Sequence, residues 1–126
     1  MPEQPTILCV DDEERALFLR KAVLEKFGFR VFTASSGKNA LELLEDRSVD
    51  LVLSDLLMPE MSGTELAKLV RQQYPEVPFV IVSGVNEIPA DVSLADLFVS
   101  KLEGPATLCE RLRDVLHKSK TAQGAT

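Results

Sequence analysis

Short apolar segments alternate with longer amphipathic segments along the chain. Five of the apolar segments are rich in Val, Ile, Leu and Phe and are short enough to be strands buried on both faces of a sheet. They span Thr6–Val10, Arg30–Ala34, Asp50–Ser54, Pro78–Ser83 and Leu97–Ser100. Between them, apolar residues recur at the three- and four-residue spacings of helices. This alternation predicts an α/β fold in three layers, with helices on both faces of a parallel sheet.

Local signals predict where several helices begin and end. Ala16, Leu19, Val23 and Phe27 have helical spacing and predict the inward face of the first helix, and Gly28 is a typical helix stop. Residues typical of helix starts are Ser35 or Ser36, Ser62 and Pro105.

Two segments carry weaker patterns. The periodicity of Gly84–Asp96 is poor, which predicts a short or irregular fourth helix between the last two strands. The end of the chain lacks large apolar side chains. We therefore expect one domain over residues 1–118 and a flexible C-terminal tail over residues 119–126.

Length, composition and charge narrow the class of protein. A chain of 126 residues is one domain long, and 45% hydrophobic and 27% charged residues are typical of a globular protein. The net charge of −6 argues against direct binding to nucleic acid, because phosphate contacts need Lys and Arg on one face. No apolar run approaches the ~20 residues of a membrane span, and the N-terminus lacks a signal-peptide pattern. We expect a cytoplasmic protein that does not bind membranes.

The cysteines and the histidine add little chemistry. Cys9 lies in an apolar run and Cys109 in a helical pattern, so we expect two free buried thiols in a reducing compartment rather than a disulfide. His117 is the single histidine, and it cannot build a zinc site alone.

Polar residues stand where four of the five predicted strands end: Asp11, Asp12, Asp55, Ser83 and Lys101. Each has an ordinary explanation when taken alone. An aspartate there is most often a helix N-cap or a turn residue, a Ser-Gly pair is a turn, and a lysine is a solvated amine. Ligands of such folds bind beyond the carboxyl ends of the strands, so the joint placement predicts a functional site at that edge.

The chemistry of these residues is coherent. Three neighbouring carboxylates repel one another, and a divalent cation relieves the repulsion. Oxygen ligands supplemented by water suit Mg²⁺. A carboxylate can also attack phosphorus and form an aspartyl phosphate. An ammonium group and a hydroxyl then neutralise and orient the phosphoryl oxygens.

Four motifs together resemble the receiver domain of two-component response regulators. They are VDDE at Val10–Glu13, SDLLMPEMSG at Ser54–Gly63, VSG at Val82–Gly84 and SK at Ser100–Lys101. The resemblance covers about residues 6–117, and each motif alone is weak whereas the combination is highly specific. It implies a flavodoxin-like (βα)5 fold, a doubly wound parallel sheet with strand order 2-1-3-4-5.

The resemblance also implies a metal and phosphoacceptor site. Asp55 would accept the phosphoryl group and contribute to binding Mg²⁺. Asp12 would bind the ion directly, Asp11 would bind it largely through water, and the backbone carbonyl of Leu57 would be a further ligand.

A second group of residues would bind the phosphoryl group and respond to it. Ser83 and Lys101 would each bind a phosphoryl oxygen. Phe98 matches the switch aromatic of the family, which turns inward behind the moving hydroxyl of Ser83. Such a change is a two-state element biased by a new charge.

The resemblance implies partners rather than a turnover substrate. A sensor histidine kinase or a phosphotransfer protein would donate the phosphoryl group, and a separate effector protein would respond. The chain would catalyse only its own phosphoryl transfer and dephosphorylation, as a monomer or as a dimer linked to phosphorylation.

Two departures keep alternatives open. Members of the family usually carry proline in a cis peptide after the lysine, whereas Leu102 follows Lys101 here. A non-proline cis bond costs ~2.5–4 kcal/mol, so either the peptide is trans in a different loop or strain is stored there. The chain between Ser83 and Lys101 is also shorter than in most members, by roughly one helical turn.

These departures favour, as the alternative, a pseudo-receiver that binds a protein partner without being switched by phosphate. An aspartyl phosphatase is a third hypothesis. It ranks low because the general acid would be expected at the position of Leu57.

Overall fold

The computed structural model describes residues 4–84 and 92–124, and strands and helices alternate along them. The strands are β1 Thr6–Val10, β2 Arg30–Ala34, β3 Leu51–Asp55, β4 Phe79–Ser83 and β5 Leu97–Ser100. The helices are α1 Glu14–Lys26, α2 Gly37–Asp46, α3 Gly63–Gln73 and α4 Pro105–Gly124, and a 3₁₀ turn spans Val92–Leu94. The predicted strands are confirmed to within one residue, and β3 ends on Asp55 itself.

The five strands form one parallel sheet in the order β2-β1-β3-β4-β5. This order confirms the predicted α/β fold. The central strands β1 and β3 are buried along their whole length, whereas the edge strand β5 is mostly half-buried. The carboxyl ends of all five strands therefore lie along one edge of the sheet, which is where the candidate site must be sought.

Two hydrophobic clusters cover the two faces of the sheet, because successive side chains of a strand point to opposite faces. Ile7 and Cys9 of β1 face the cluster that α1 and α4 close, and Leu8 and Val10 face the cluster that α2 and α3 close. The structure thus has the three predicted layers. Both Cys9 and Cys109 are buried free thiols, as expected.

Most of the predicted helix signals are confirmed. Gly28 has φ of 98°, a conformation that glycine adopts without strain, and the N–H of Phe29 donates to the carbonyl of Leu24 at the end of α1. Ser36 caps α2, and Ser62 caps α3 in a capping box with Glu65.

The most buried residues of α1 differ from those that the apolar spacing indicated. Leu17 and Leu24 are its buried residues, whereas Leu19 is 64% exposed. Val23 and Phe27 pack against the core only partly. The apolar pattern was misleading because Phe18 and Leu19 are large hydrophobic residues that point to solvent.

The segments with weak patterns gave two further results. Between β4 and β5, the described residues hold only the 3₁₀ turn Val92–Leu94, in agreement with a short or irregular helix, and the rest of that prediction falls on residues 85–91, outside the described part. Helix α4 runs to Gly124, past the boundary predicted at residue 118, because the lysines, Ala122 and Gln123 are compatible with a helix. Among the helices of the described residues, none combines the length and apolarity that crossing a bilayer requires.

Candidate functional site

Three carboxylates meet at the carboxyl ends of β1 and β3. Oxygen atoms of Asp11, Asp12 and Asp55 all lie within 4.8 Å of one another. The two strands are direct neighbours in the sheet, so the residues that end them come together. Asp11 and Asp55 are only 3% and 4% exposed, whereas Asp12 is exposed. The cluster therefore has a buried floor and one side open to solvent.

Asp11 is oriented by its own loop rather than by capping the next helix. The N–H of Glu13 donates to Oδ1 of Asp11 at 3.0 Å. The N-cap of α1 is Glu13, and no side chain caps that helix. The ordinary explanation of Asp11 and Asp12 as N-caps is therefore wrong for this chain.

An arginine balances part of the charge on Asp11. The guanidinium of Arg20, on α1, lies 3.5 Å from Oδ2 of Asp11, and the Arg20 side chain is only 15% exposed. Burial nevertheless raises the pKa of Asp11, and the charges of Asp55 and Asp12 add to the rise, while the Glu13 N–H and Arg20 oppose it. The net result is a carboxylate whose charge is disfavoured by its surroundings.

Asp55 is positioned by a close approach of two backbone segments. The N–H of Gly63, at the start of α3, donates to the carbonyl of Leu56 at 2.8 Å. A Cβ atom on Gly63 would lie 2.4 Å from the backbone oxygen of Asp55, a distance that no side chain tolerates. Glycine at position 63 therefore lets α3 begin directly against the residue that ends β3.

Lys101 reaches this carboxylate from the end of β5. Its Nζ lies 2.9 Å from Oδ1 of Asp55, with the lysine side chain 41% and the Asp55 side chain 6% exposed. Within the described part of the chain, the buried Oδ1 accepts no hydrogen bond, so the contact with Lys101 is an ion pair rather than a directed bond. A cation from the end of β5 thus contacts one of the two buried carboxylates.

The turn after Lys101 contains only trans peptides, since the described residues have no cis bond. The Oγ of Ser100 accepts the N–H of Leu102 at 3.0 Å, and a carboxylate oxygen of Glu103 accepts the N–H of Ser100 at 3.2 Å. Glu103 also pairs with Arg111 of α4, with 2.8 Å between Oε1 and Nε. Of the two possibilities left open by Leu102, the structure adopts the trans peptide in a different loop.

Ser83 ends β4, and Phe98 lies in β5, two residues before Ser100. Ser83 pairs with Ser100 in the sheet, and its carbonyl accepts the N–H of Lys101 at 2.9 Å. Phe98 is half-buried and packs against the cluster on the α2 and α3 face. Leu57 follows in the loop after β3 with its side chain 60% exposed.

The donor set fits a hard divalent cation. Three carboxylates in one cluster repel one another, and Oδ1 of Asp55 is buried without a hydrogen-bond donor among the described residues. Carboxylate oxygens together with water are the ligands that Mg²⁺ prefers, and the open side at Asp12 leaves room for water.

Reasoning from the sequence missed three contributors: Arg20, Gly63 and the Glu103–Arg111 pair. A signal existed for Arg20, because it lies three residues after Leu17 and four before Leu24, on the buried face of α1. A charged residue on such a face indicates a buried partner. The close approach at Gly63 and the pair of Glu103 with Arg111 depend on tertiary packing, and no local pattern indicates them.

Comparison with known proteins gives a consistent result. The family model described as "Response regulator receiver domain" matches residues 7–113. The chain is 34% identical to the sensor kinase CckA of Brucella abortus over 121 residues, which is 90% of this chain and 13% of that protein. It is also 34% identical to the alkaline phosphatase synthesis transcriptional regulatory protein PhoP of Bacillus subtilis, over 92% of this chain and 50% of that protein. The chain therefore spans half the length of one relative and a small part of the other.

Solved structures agree. A response regulator receiver domain protein from Clostridium thermocellum superposes with a TM-score of 0.87 at 25% identity, covering 94% of this chain and 98% of that one. The response regulator TrrA from Thermotoga maritima, solved in complex with Mg(2+)-BeF, gives a TM-score of 0.82 at 30% identity, covering 89% of this chain and 99% of that one.

Proposed function

This chain belongs to the family of response regulator receiver domains, and on that basis we propose that it accepts a phosphoryl group on Asp55 from a sensor histidine kinase or a phosphotransfer protein. The observation that carries the proposal is the pairing of a buried Asp55 with the ammonium of Lys101 at 2.9 Å, beside two further carboxylates. The names of the relatives, a sensor kinase and a transcriptional regulator, support a place in two-component signalling.

The transfer follows from the positions of these groups. A carboxylate oxygen of Asp55 attacks the phosphorus atom, and the new O–P bond forms as the bond from phosphorus to the donor's imidazole nitrogen breaks. That nitrogen keeps the bonding electron pair. The Lys101 ammonium already lies against Asp55 and neutralises negative charge as the phosphoryl group arrives.

Asp11, Asp12, Asp55 and the backbone carbonyl of Leu57 would hold Mg²⁺, with Asp11 acting largely through water. The ion supplies positive charge at the phosphoryl oxygens. The buried Asp11 and Asp55 give the site its rigid side, and the exposed Asp12 leaves a path for the donor.

The output is a conformational change rather than a product. The hydroxyl of Ser83 binds a phosphoryl oxygen, and Phe98 follows it inward. Support comes from the half-buried state of both residues, which lie on the two outermost strands of one side of the sheet. A separate effector protein reads the change, and the chain acts in the cytoplasm as a monomer or as a dimer linked to phosphorylation. It has no turnover substrate, and it catalyses only the gain and loss of its own phosphoryl group.

The pseudo-receiver alternative is not favoured. That alternative predicts a site in which the acids or the lysine do not converge, whereas Lys101 contacts Asp55 and the three carboxylates are clustered. The trans peptide at Leu102 does not prevent this contact.

Intact-mass spectrometry tests the proposal. The chain is incubated with Mg²⁺ and phosphoramidate or acetyl phosphate, beside an Asp55→Asn variant. We expect one phosphoryl adduct on the wild type, and none on the variant or without Mg²⁺. A folded wild-type protein that takes up no adduct would contradict the proposal and favour the pseudo-receiver.

A further inference from the structure

We propose that Glu103 and Arg111 are positioning residues for Lys101, so that an ion pair outside the site determines where its ammonium stands. This inference rests on the proposed function, because it concerns how the site receives a phosphoryl group.

The backbone around Lys101 is tied on both sides. Before it, the N–H of Ser100 donates to Oε2 of Glu103, and after it the N–H of Leu102 donates to Oγ of Ser100. The N–H of Glu103 donates back to the carbonyl of Ser100 at 3.1 Å. Two reciprocal bonds between Ser100 and Glu103 therefore close a tight turn whose second residue is Lys101.

Arg111 connects this turn to the core. Its Nε lies 2.8 Å from Oε1 of Glu103, so the same carboxylate that accepts the Ser100 N–H is also fixed from α4. Cys109 and Leu112 lie close to Arg111 along α4 and are 2% and 0% exposed. Their burial anchors this part of the helix against the sheet. The ion pair therefore attaches the turn to a helix that is packed against the sheet.

The position of the Lys101 ammonium depends on this attachment of the turn to α4. The lysine side chain is long and 41% exposed, so its own packing restricts it weakly. The direction of its backbone therefore decides how often Nζ reaches Asp55. A proline would impose that direction through its ring, whereas Leu102 imposes nothing and is 77% exposed.

The pair has little reason to exist for stability. Arg111 is 44% and Glu103 is 21% exposed, and such ion pairs contribute little to the free energy of unfolding. Arg71 and Asp96 form a second partly exposed pair, 3.8 Å apart, at the opposite end of β5 from the turn. Arg71→Gln is therefore the matched control for Arg111→Gln.

The Lys101→Ala variant shows how Mg²⁺ affinity and the rate of phosphorylation should change when the ammonium no longer lies against Asp55. Removing a cation that lies against Asp55 strengthens Mg²⁺ binding severalfold, because a like charge no longer competes for the carboxylate. It also slows phosphorylation by phosphoramidate about tenfold or more, because the incoming charge is no longer neutralised. The two quantities are measured by NMR titration with Mg²⁺ and by the rate of adduct formation at saturating Mg²⁺.

The decisive experiment is a double-mutant cycle between Arg111→Gln and Lys101→Ala in the full chain. We expect Arg111→Gln alone to shift both quantities in the direction of Lys101→Ala by about threefold, and to add nothing when Lys101 is already alanine. Arg111→Lys should restore most of the wild-type values, and Arg71→Gln should leave both unchanged.

Other outcomes overturn the inference or the function separately. Equal effects of Arg111→Gln with and without Lys101, or a loss of stability without a change in Mg²⁺ affinity, would show that the pair is structural and overturn the positioning role. A wild type that binds Mg²⁺ but gains no adduct would overturn the proposed function alone. The Mg²⁺ affinities of the four proteins in the cycle would still show whether Arg111 acts through Lys101.

Discussion

The half of the site at the ends of β1 and β3 and the half at the ends of β4 and β5 are supported by different contacts. In the first half, Asp11 and Asp55 are almost fully buried and are placed by backbone groups, the N–H of Glu13 and the start of α3 at Gly63. In the second half, Lys101 is partly exposed and its turn is tied by side chains. The acids are therefore placed by buried backbone groups, and Lys101 is placed by contacts of partly exposed side chains.

This difference suits a switch. Segments with few buried contacts open at lower free energy than the core, so we expect motion to be easiest at the edge strand β5, in the β4 and β5 half. The edge strand β5 is the shortest of the five and is mostly half-buried, whereas β1 and β3 are fully buried. On the proposed function, a phosphoryl group on Asp55 would draw the β4 and β5 half toward it.

The largest effect is expected from a substitution that disrupts the half of the site at the ends of β1 and β3. In Gly63→Ala, the new Cβ meets the backbone of Asp55 and Leu56, which cannot move aside as a flexible side chain would. We expect a loss of about 3 kcal/mol in the free energy of unfolding, measured by denaturant titration. Gly104→Ala, in the loop after β5, is the control, because a Cβ atom at that position would have no atom within 4 Å. Equal stabilities of the two variants would show that α3 does not fix Asp55.

A second prediction compares how readily β1, which carries Asp11 at its end, and α4, which holds the turn after Lys101, open. Cys9 lies in β1, and burial raises the pKa of its thiol to about 12, while burial also raises the pKa of Cys109 in α4. Neither thiol should react in the closed state, because the thiolate is the reactive form. We expect iodoacetamide to label Cys109 about tenfold faster than Cys9, since β1 is paired with a strand on each side, whereas α4 packs on one face of the sheet. Peptide mass mapping measures both rates, and identical rates would mean that β1 and α4 open as one unit.

The smallest expected effect is a change in Tm caused by the charge of Asp11, at the end of β1. The pKa of Asp11 is raised above its ordinary value of 3.8, so the folded chain without Mg²⁺ loses stability as pH rises through the interval between the two values. Asp11→Asn should therefore raise Tm at pH 7 by a few degrees, the shift that about 0.5–1 kcal/mol gives in a domain of this length.

The gain should vanish at a pH below 3.8, where Asp11 is protonated in both states, and saturating Mg²⁺ should reverse the order because the variant lacks a ligand. Thermal unfolding across pH, with the exposed Asp114→Asn as control, measures these changes. A variant that is less stable than the wild type at pH 7 without Mg²⁺ would show that Arg20 outweighs the desolvation of Asp11.

The sequence predicted the elements that depend on local chemistry and failed where burial is decided by packing. Strand boundaries, the stop at Gly28 and the capping serines follow from residue type and spacing. The meeting of Asp11, Asp12 and Asp55 follows from strands that end at one edge. The strand order came from the resemblance to a family rather than from the pattern itself.

The errors have a common physical cause. Leu19 was predicted to face the core because it is apolar, yet hydrophobicity does not decide which side of a helix meets the sheet. Arg20 was overlooked because a charged residue carries no apolar signal. The turn after Lys101 depends on Arg111, from the next helix, and a scan for local motifs cannot detect such a contact.

The buried pair of Arg20 and Asp11 has a consequence for the sum of charges at the site. Three carboxylates face two basic side chains, Arg20 and Lys101, so the metal-free site carries one net negative charge. A divalent cation changes that sum to one positive charge, and conversion of Asp55 to an aspartyl phosphate, which adds about one negative charge, returns it to nearly zero. On the proposed function, metal and phosphoryl group would each create the condition that favours the other, and without Arg20 the metal-loaded site would have no positive excess to attract a phosphoryl donor.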